Sequence, residues 1–191
     1  ALRFLKENNI EFKPFKLRTY GEETTIEING EIRKVGFGSS AAAAVAIIAS
    51  ILDFHGYSAT KEEIYKLATI AHYYAQGKIG SAFDVAASTY GGITVYKRFD
   101  AKWLTNKIES ENLADIVKDK WPGLFVERLE MPEGMNMAIA WTGDSASTGA
   151  MIKQMDAFKS SNPGKYKEIY GDIAYIVEQL IDRWKSNDEE N

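Results

Sequence analysis

Hydrophobic and polar positions change rhythm several times along this chain, and each change predicts an element. The opening ALRFLKENN places apolar residues at helical spacing and reads as the end of an amphipathic helix. FKPFKLRTY alternates apolar and polar positions, the period of a strand. TTIEINGEIRKV sets Asn29-Gly30 between two alternating runs, which predicts a hairpin with a two-residue turn. From about 40 to 55 the chain becomes almost wholly small and apolar. Alanine favours helix, apolar residues nearly all round predict burial on several sides, and Gly56 is a C-terminal stop. SATKEEIYKLATIAHYYAQGK predicts a second helix. There Thr60 and Glu63 form a capping box, and Ile64, Leu67, Ala68, Ala71 and Ala75 make one apolar stripe.

Beyond this point the rhythm is mixed. IGSAFDVAASTYGGITVYKRF predicts a glycine-serine turn, a short helix and a strand from about Ile93. Residues 101–123 read as helical, and Pro122-Gly123 marks a turn and an expected domain edge. LFVERLEMP and NMAIAWTG predict two strands. DSASTGAMIKQMDAF reads as a loop capped into a helix, and Asn162-Pro163 opens a last helix. Strands, then helices, then both again predict an α+β fold.

Composition narrows the function classes. The 191 residues carry a net charge of -4, which gives no support to a nucleic-acid or anionic-membrane partner. Absence of cysteine excludes disulfides and thiolate chemistry and leads us to expect a reducing, cytoplasmic setting. Two histidines without cysteine argue against structural zinc. The longest apolar run is interrupted by Asp53 and His55, short of the roughly 18 residues that span a bilayer. Because the chain starts in mid-helix and stops after another helix, it is expected to be part of a longer polypeptide.

The candidate chemistry begins at RKVGFGSSAAAA. A plain strand-to-helix turn with serine caps is one reading. A nucleotide P-loop is rejected, because that loop needs lysine before its serine or threonine and Gly38 stands there. Gly36, Gly38 and Ala41 fit G-x-G-x-x-A, but Glu31, Arg33 and Lys34 lie where a buried parallel strand should precede a dinucleotide fingerprint. The remaining reading is another kind of phosphate cradle. A helix start offers unpaired amides and a positive dipole end, glycines admit a polyphosphate, and Ser39 and Ser40 add hydroxyls.

KVGFGSSAAAA resembles the G-L-G-S-S-A-A loop of the GHMP kinase superfamily. AQGKIGSAFDVAASTYGGITVYKRF and AIAWTGDSASTGAMI are similar to two later segments as they stand in that family's phosphomevalonate kinase branch, in the same order. The resemblance implies a two-domain GHMP fold, incomplete at both ends. Residues 1–123 would form most of the nucleotide-binding domain, and 124–191 would begin a ferredoxin-like second domain. It also implies transfer of the γ-phosphoryl group of ATP, with Mg2+, onto 5-phosphomevalonate to give 5-diphosphomevalonate. The partner is then a small phosphorylated substrate. Alternatives are another GHMP small-molecule kinase, such as mevalonate or homoserine kinase, and a non-catalytic nucleotide-binding module of the same fold.

Carried over by position, Gly36, Gly38, Ser39 and Ser40 would wrap the ATP phosphates, with Ser40 also on the metal. Asp84 would stand beside the acceptor oxygen as base or as orienting group; without the resemblance it reads as a helix N-cap. Lys78, Ser81, Ser147 and Thr148 would face the acceptor's phosphate. Lys78 reads equally as a solvated lysine, and Ser147 and Thr148 as caps. His55 is expected at a helix end without chemistry, and His72 as a packed or half-exposed residue. Ala82 departs from the glycine common in that branch. AHYYAQGK lacks the acid that completes the metal site in mevalonate kinases.

Overall fold

The computed structural model describes residues 1–21, 25–36, 38–77, 80–143 and 148–186. In chain order its elements are α1 (Leu2–Glu7), β1 (Thr25–Ile28), β2 (Glu31–Lys34), α2 (Ser39–Phe54), α3 (Lys61–Ala75) and α4 (Phe83–Tyr90). There follow β3 (Ile93–Lys97), α5 (Ala101–Ser110), α6 (Leu113–Lys118), β4 (Phe125–Leu129), α7 (Thr148–Ser161) and α8 (Pro163–Ser186). The fold is α+β.

β1 and β2 pair antiparallel around Asn29 (φ 53°) and Gly30 (φ 81°), the two consecutive positive φ values that a two-residue hairpin turn requires. β3 pairs antiparallel with β4, from Ile93 opposite Leu129 to Lys97 opposite Phe125. The core lies among the helices. Phe4 and Leu5 of α1, Leu52 of α2, Tyr65 and Leu67 of α3, Val85 of α4, Leu104 of α5 and Ile116 of α6 are almost wholly enclosed, with Trp121 beside them.

Four expectations need correction. Residues 12–20 form no strand. Pro14 cannot donate to a ladder, and Phe12 and Phe15 instead close on the His55 ring at 5.5 and 5.6 Å between ring centres. Residues 136–143 also form no strand, since no neighbouring edge among the described residues pairs with them; all but Trp141 and Gly143 are exposed. α2 is buried on one side only: Ala41, Ile48, Ile51 and Leu52 face the core, while Ala42, Ala43 and Ala46 face outward.

The buried face of α3 is rotated from the expected stripe. Ala71 and Ala75 are exposed, and Tyr65, Lys66, Thr69 and Tyr73 take the interior beside Leu67 and Ala68. Amphipathic side chains bury their apolar bodies and bond at their tips, which an apolar count does not register. Lys66 does this at the end of α6, where its ammonium donates to the carbonyls of Val117 (3.1 Å) and Asp119 (2.7 Å). At the other end of α6 the Glu7 carboxylate accepts the Ala114 amide at 2.8 Å. The Thr60–Glu63 capping box of α3 forms with both of its reciprocal bonds.

Candidate functional site

α2 and α4 begin against each other, and neither has a side-chain cap. Their N-cap residues, Gly38 and Ala82, both take the left-handed conformation, at φ 71° and φ 60°. Glycine does so without steric penalty, whereas alanine is strained there. A Cβ added to Gly38 would stand 3.8 Å from the Asp84 Cβ, so the glycine cap of one helix abuts the acid of the next. The Ala41 and Ala42 amides close back on the Gly38 carbonyl at 3.0 and 3.1 Å. Among the described residues nothing holds the Ser39 and Ser40 amides, so open donors and a positive dipole end face outward at Gly38. Gly36 is exposed just upstream, behind buried Val35.

Asp84 is the second residue of α4 and not its N-cap, because the helix already starts at Phe83 behind Ala82. Its Oδ1 accepts the Val85 amide at 2.9 Å. The side chain is half-buried, and Oδ2 has no partner among the described residues. The carboxylate is therefore oriented by its own helix while one oxygen stays available.

A pair of phenols, Tyr65 buried and Tyr96 half-buried, supports the turn before α4. Tyr96 donates its hydroxyl proton to the Ser81 carbonyl at 2.5 Å, so Tyr65 is the donor in the 2.9 Å bond between the two hydroxyls. Burial pushes both phenols above their ordinary range, and the nearby Asp84 charge adds to the rise. Both stay protonated and keep the Ser81 turn in place. This relay joins residues 31 and 15 positions apart and leaves no local mark in the sequence.

The Ser40 hydroxyl is exposed and lies 3.2 Å from His72 Nε2 at the last turn of α3. The third motif is tied to the hairpin, where Arg33 of β2 donates to the Gly143 carbonyl at 3.4 Å. Lys78 and Ser147 lie outside the described residues, and so does the side chain of Thr148, which opens α7.

No cluster of three acidic, histidine or cysteine residues that would hold a metal occurs among the described residues. The donors present nevertheless suit magnesium, which is held by one or two protein oxygens together with phosphate and water. Ser40 offers a hydroxyl and Asp84 a carboxylate oxygen. The glycine cap beside them leaves room for phosphate against the backbone. Among the described residues no helix is long and apolar enough to cross a membrane.

Residues 2–92 match the family of the GHMP kinases N terminal domain. The phosphomevalonate kinase of Streptomyces sp. (strain CL190) is 35% identical over 123 residues, which cover 64% of this chain and 33% of that protein. The phosphomevalonate kinase of Saccharolobus solfataricus is 34% identical over 138 residues, covering 72% of this chain and 36% of its own. Among solved structures, a Lin0012 protein from Listeria innocua superposes with a TM-score of 0.86 at 34% identity, over 98% of this chain and 51% of that one. Streptococcus pneumoniae phosphomevalonate kinase, solved in complex with phosphomevalonate and AMPPNP, superposes with a TM-score of 0.65 at 26% identity, over 80% of this chain and 44% of that one. The chain thus spans about a third of the length of the curated relatives it matches.

Proposed function

Because residues 2–92 match the GHMP kinases N terminal domain, we propose that the chain is part of a GHMP kinase and supplies the phosphate loop and the acceptor-side carboxylate of a phosphomevalonate kinase. The reaction is transfer of the γ-phosphoryl group of ATP to the phosphate of 5-phosphomevalonate, giving 5-diphosphomevalonate and ADP. ATP supplies the group transferred, and Mg2+ offsets charge on the phosphates.

The chain's own residues bind and position. Gly36 and Gly38 admit phosphate oxygens to the backbone, and the Ser39 and Ser40 amides donate to them. The Ser40 hydroxyl would hold the cation. Asp84 Oδ2 would orient the acceptor through the cation it shares, while Oδ1 stays fixed to the Val85 amide. The acceptor is a phosphate oxygen, already ionised near neutral pH, so alignment matters more than proton removal. Lys78, Ser81, Ser147 and Thr148 are assigned to the acceptor's own phosphate, where a cation and hydroxyls counter the repulsion between two anions. The same reading takes residues 1–123 as most of the nucleotide domain and 124–191 as the beginning of the second.

The observation that carries this reading is the contact of the Gly38 cap with Asp84. It sets the open amides that suit a polyphosphate beside the carboxylate that would face what receives its terminal group. Asp84→Asn keeps the side chain's size and removes its charge. In the intact enzyme kcat for phosphomevalonate should fall by about 100-fold or more, with magnesium-free affinity for an ATP analogue changed by less than about threefold. An equal loss of turnover and nucleotide affinity would remove Asp84 from the acceptor side.

A further inference from the structure

The last turn of α3 touches the first turn of α2 through one side-chain chain. Ser40 Oγ lies 3.2 Å from His72 Nε2, and Gln76 Nε2 lies 3.0 Å from the same nitrogen. An amide NH2 only donates, so the His72 Nε2 that receives it is the bare, accepting nitrogen of the ring, and the ring proton sits on Nδ1. A hydroxyl next to an accepting nitrogen donates its proton there. Ser40 is then left with oxygen lone pairs, not a proton, turned toward the solvent side of the loop.

That orientation decides what the hydroxyl can bind. A serine with its proton outward suits a phosphate oxygen; one with its lone pairs outward suits a cation. We propose that His72 is a positioning residue that fixes the Ser40 hydroxyl as a cation ligand, an inference that rests on the kinase reading. The ring is half-buried at the end of α3 and Ser40 is exposed, so the hydroxyl is reachable while its orienting partner is held. Gln76, four residues on and one helical turn away, identifies the accepting nitrogen and shares its single lone pair with Ser40.

The test is ATP binding by calorimetry at rising MgCl2, on the intact enzyme and on its Ser40→Ala, His72→Phe, His72→Gln and Ser40→Ala/His72→Phe variants. Phenylalanine keeps the ring's packing without the acceptor, and glutamine places an amide oxygen about where Nε2 stands. Ser40→Ala and His72→Phe should each weaken Mg2+-dependent binding about fivefold to tenfold, leave magnesium-free binding unchanged, and not add in the double variant. His72→Gln should stay within about twofold of the parent. In the 15N-labelled chain, Ser40→Ala should also move the His72 Nε2 resonance, a readout that stands even if His72→Phe does not fold.

Three results would overturn the inference alone: full Mg2+ dependence in His72→Phe, equal damage from glutamine and phenylalanine, or an unmoved Nε2 resonance in Ser40→Ala. Failure of the parent protein to bind ATP at any magnesium concentration would overturn both this inference and the kinase reading.

Discussion

Helix ends from α2 to α6 are treated in two ways. At α3, α5 and α6 the terminal amides or carbonyls are taken up by protein: Thr60 and Glu63 cap α3, Asp100 accepts the Lys102 and Trp103 amides of α5, and Glu7 and Lys66 hold the two ends of α6. At α2 and α4 the N-terminal residues are Gly38 and Ala82, neither with a capping side chain, and the two ends lie together beside Asp84. A chain that caps its structural ends and leaves two adjacent ones open keeps donors for something other than itself. Capped ends should therefore affect stability, and open ends should affect binding.

Substitutions can break that division. The largest stability effect is expected at Lys66, whose side chain is 2% exposed and whose ammonium serves two carbonyls. Lys66→Met should lower unfolding free energy by about 2–3 kcal/mol, measured in urea, with nucleotide affinity unchanged. Gly38→Ala should do the reverse. It imposes a Cβ at φ 71°, costing about 1 kcal/mol of stability, and it crowds the cradle next to Asp84. Affinity for Mg2+·ATP should drop by about tenfold or more. Thr60→Ala is the matched control at a capped end: about 1 kcal/mol less stable, with the same affinity. If Thr60→Ala lowers affinity as much as Gly38→Ala, the division between structural and functional ends fails.

Acid titration sharpens the capped side. Burial works against the charge of Glu7, yet the Ala114 amide, the Arg3 guanidinium and the Leu113 amide together hold its carboxyl below the ordinary value. Glu63 behaves alike: burial opposes its charge, and the Tyr57 hydroxyl and the Thr60 amide and hydroxyl prevail. Folded carboxyls below their unfolded value of 4.5 contribute stability that is complete above that pH and lost as pH falls through their folded values. Glu7→Gln should flatten the acid limb of the stability profile below about pH 4.5 and leave the slope from pH 6 to 8 unchanged. An unchanged acid limb would show that Glu7 does not hold the start of α6.

Local signals were legible where a single segment settles the matter. Asn29-Gly30 specifies the hairpin turn, Thr60 with Glu63 specifies the start of α3, and Asn162-Pro163 specifies the start of α8. Alternation misled at FKPFKLRTY and NMAIAWTG, because a strand needs an edge to pair with and alternation does not supply one. The face of α3 was misjudged because Lys66 and the tyrosines bury their apolar bodies. α8 carries Ile169, Ile173, Ile176 and Leu180 at helical spacing, yet none of its residues is buried, since burial depends on a partner surface that the pattern does not name. At the candidate site, the start of α2 behind Gly38 could be read from the glycine-serine pattern, and the nearness of Gly38 to Asp84 could not, since it joins separate segments. The contacts of Ser40 with His72 and of Tyr96 with Ser81 link distant segments, so nothing in either segment announced them.

The most direct measurement is a crystal structure of the intact enzyme with a non-hydrolysable ATP analogue, Mg2+ and phosphomevalonate. The account predicts the β- and γ-phosphates on the Ser39 and Ser40 amides, with Asp84 Oδ2 within hydrogen-bonding reach, about 3 Å, of the acceptor phosphate or its cation. A triphosphate bound away from Gly38, or an Asp84 carboxylate turned from the acceptor, would contradict it.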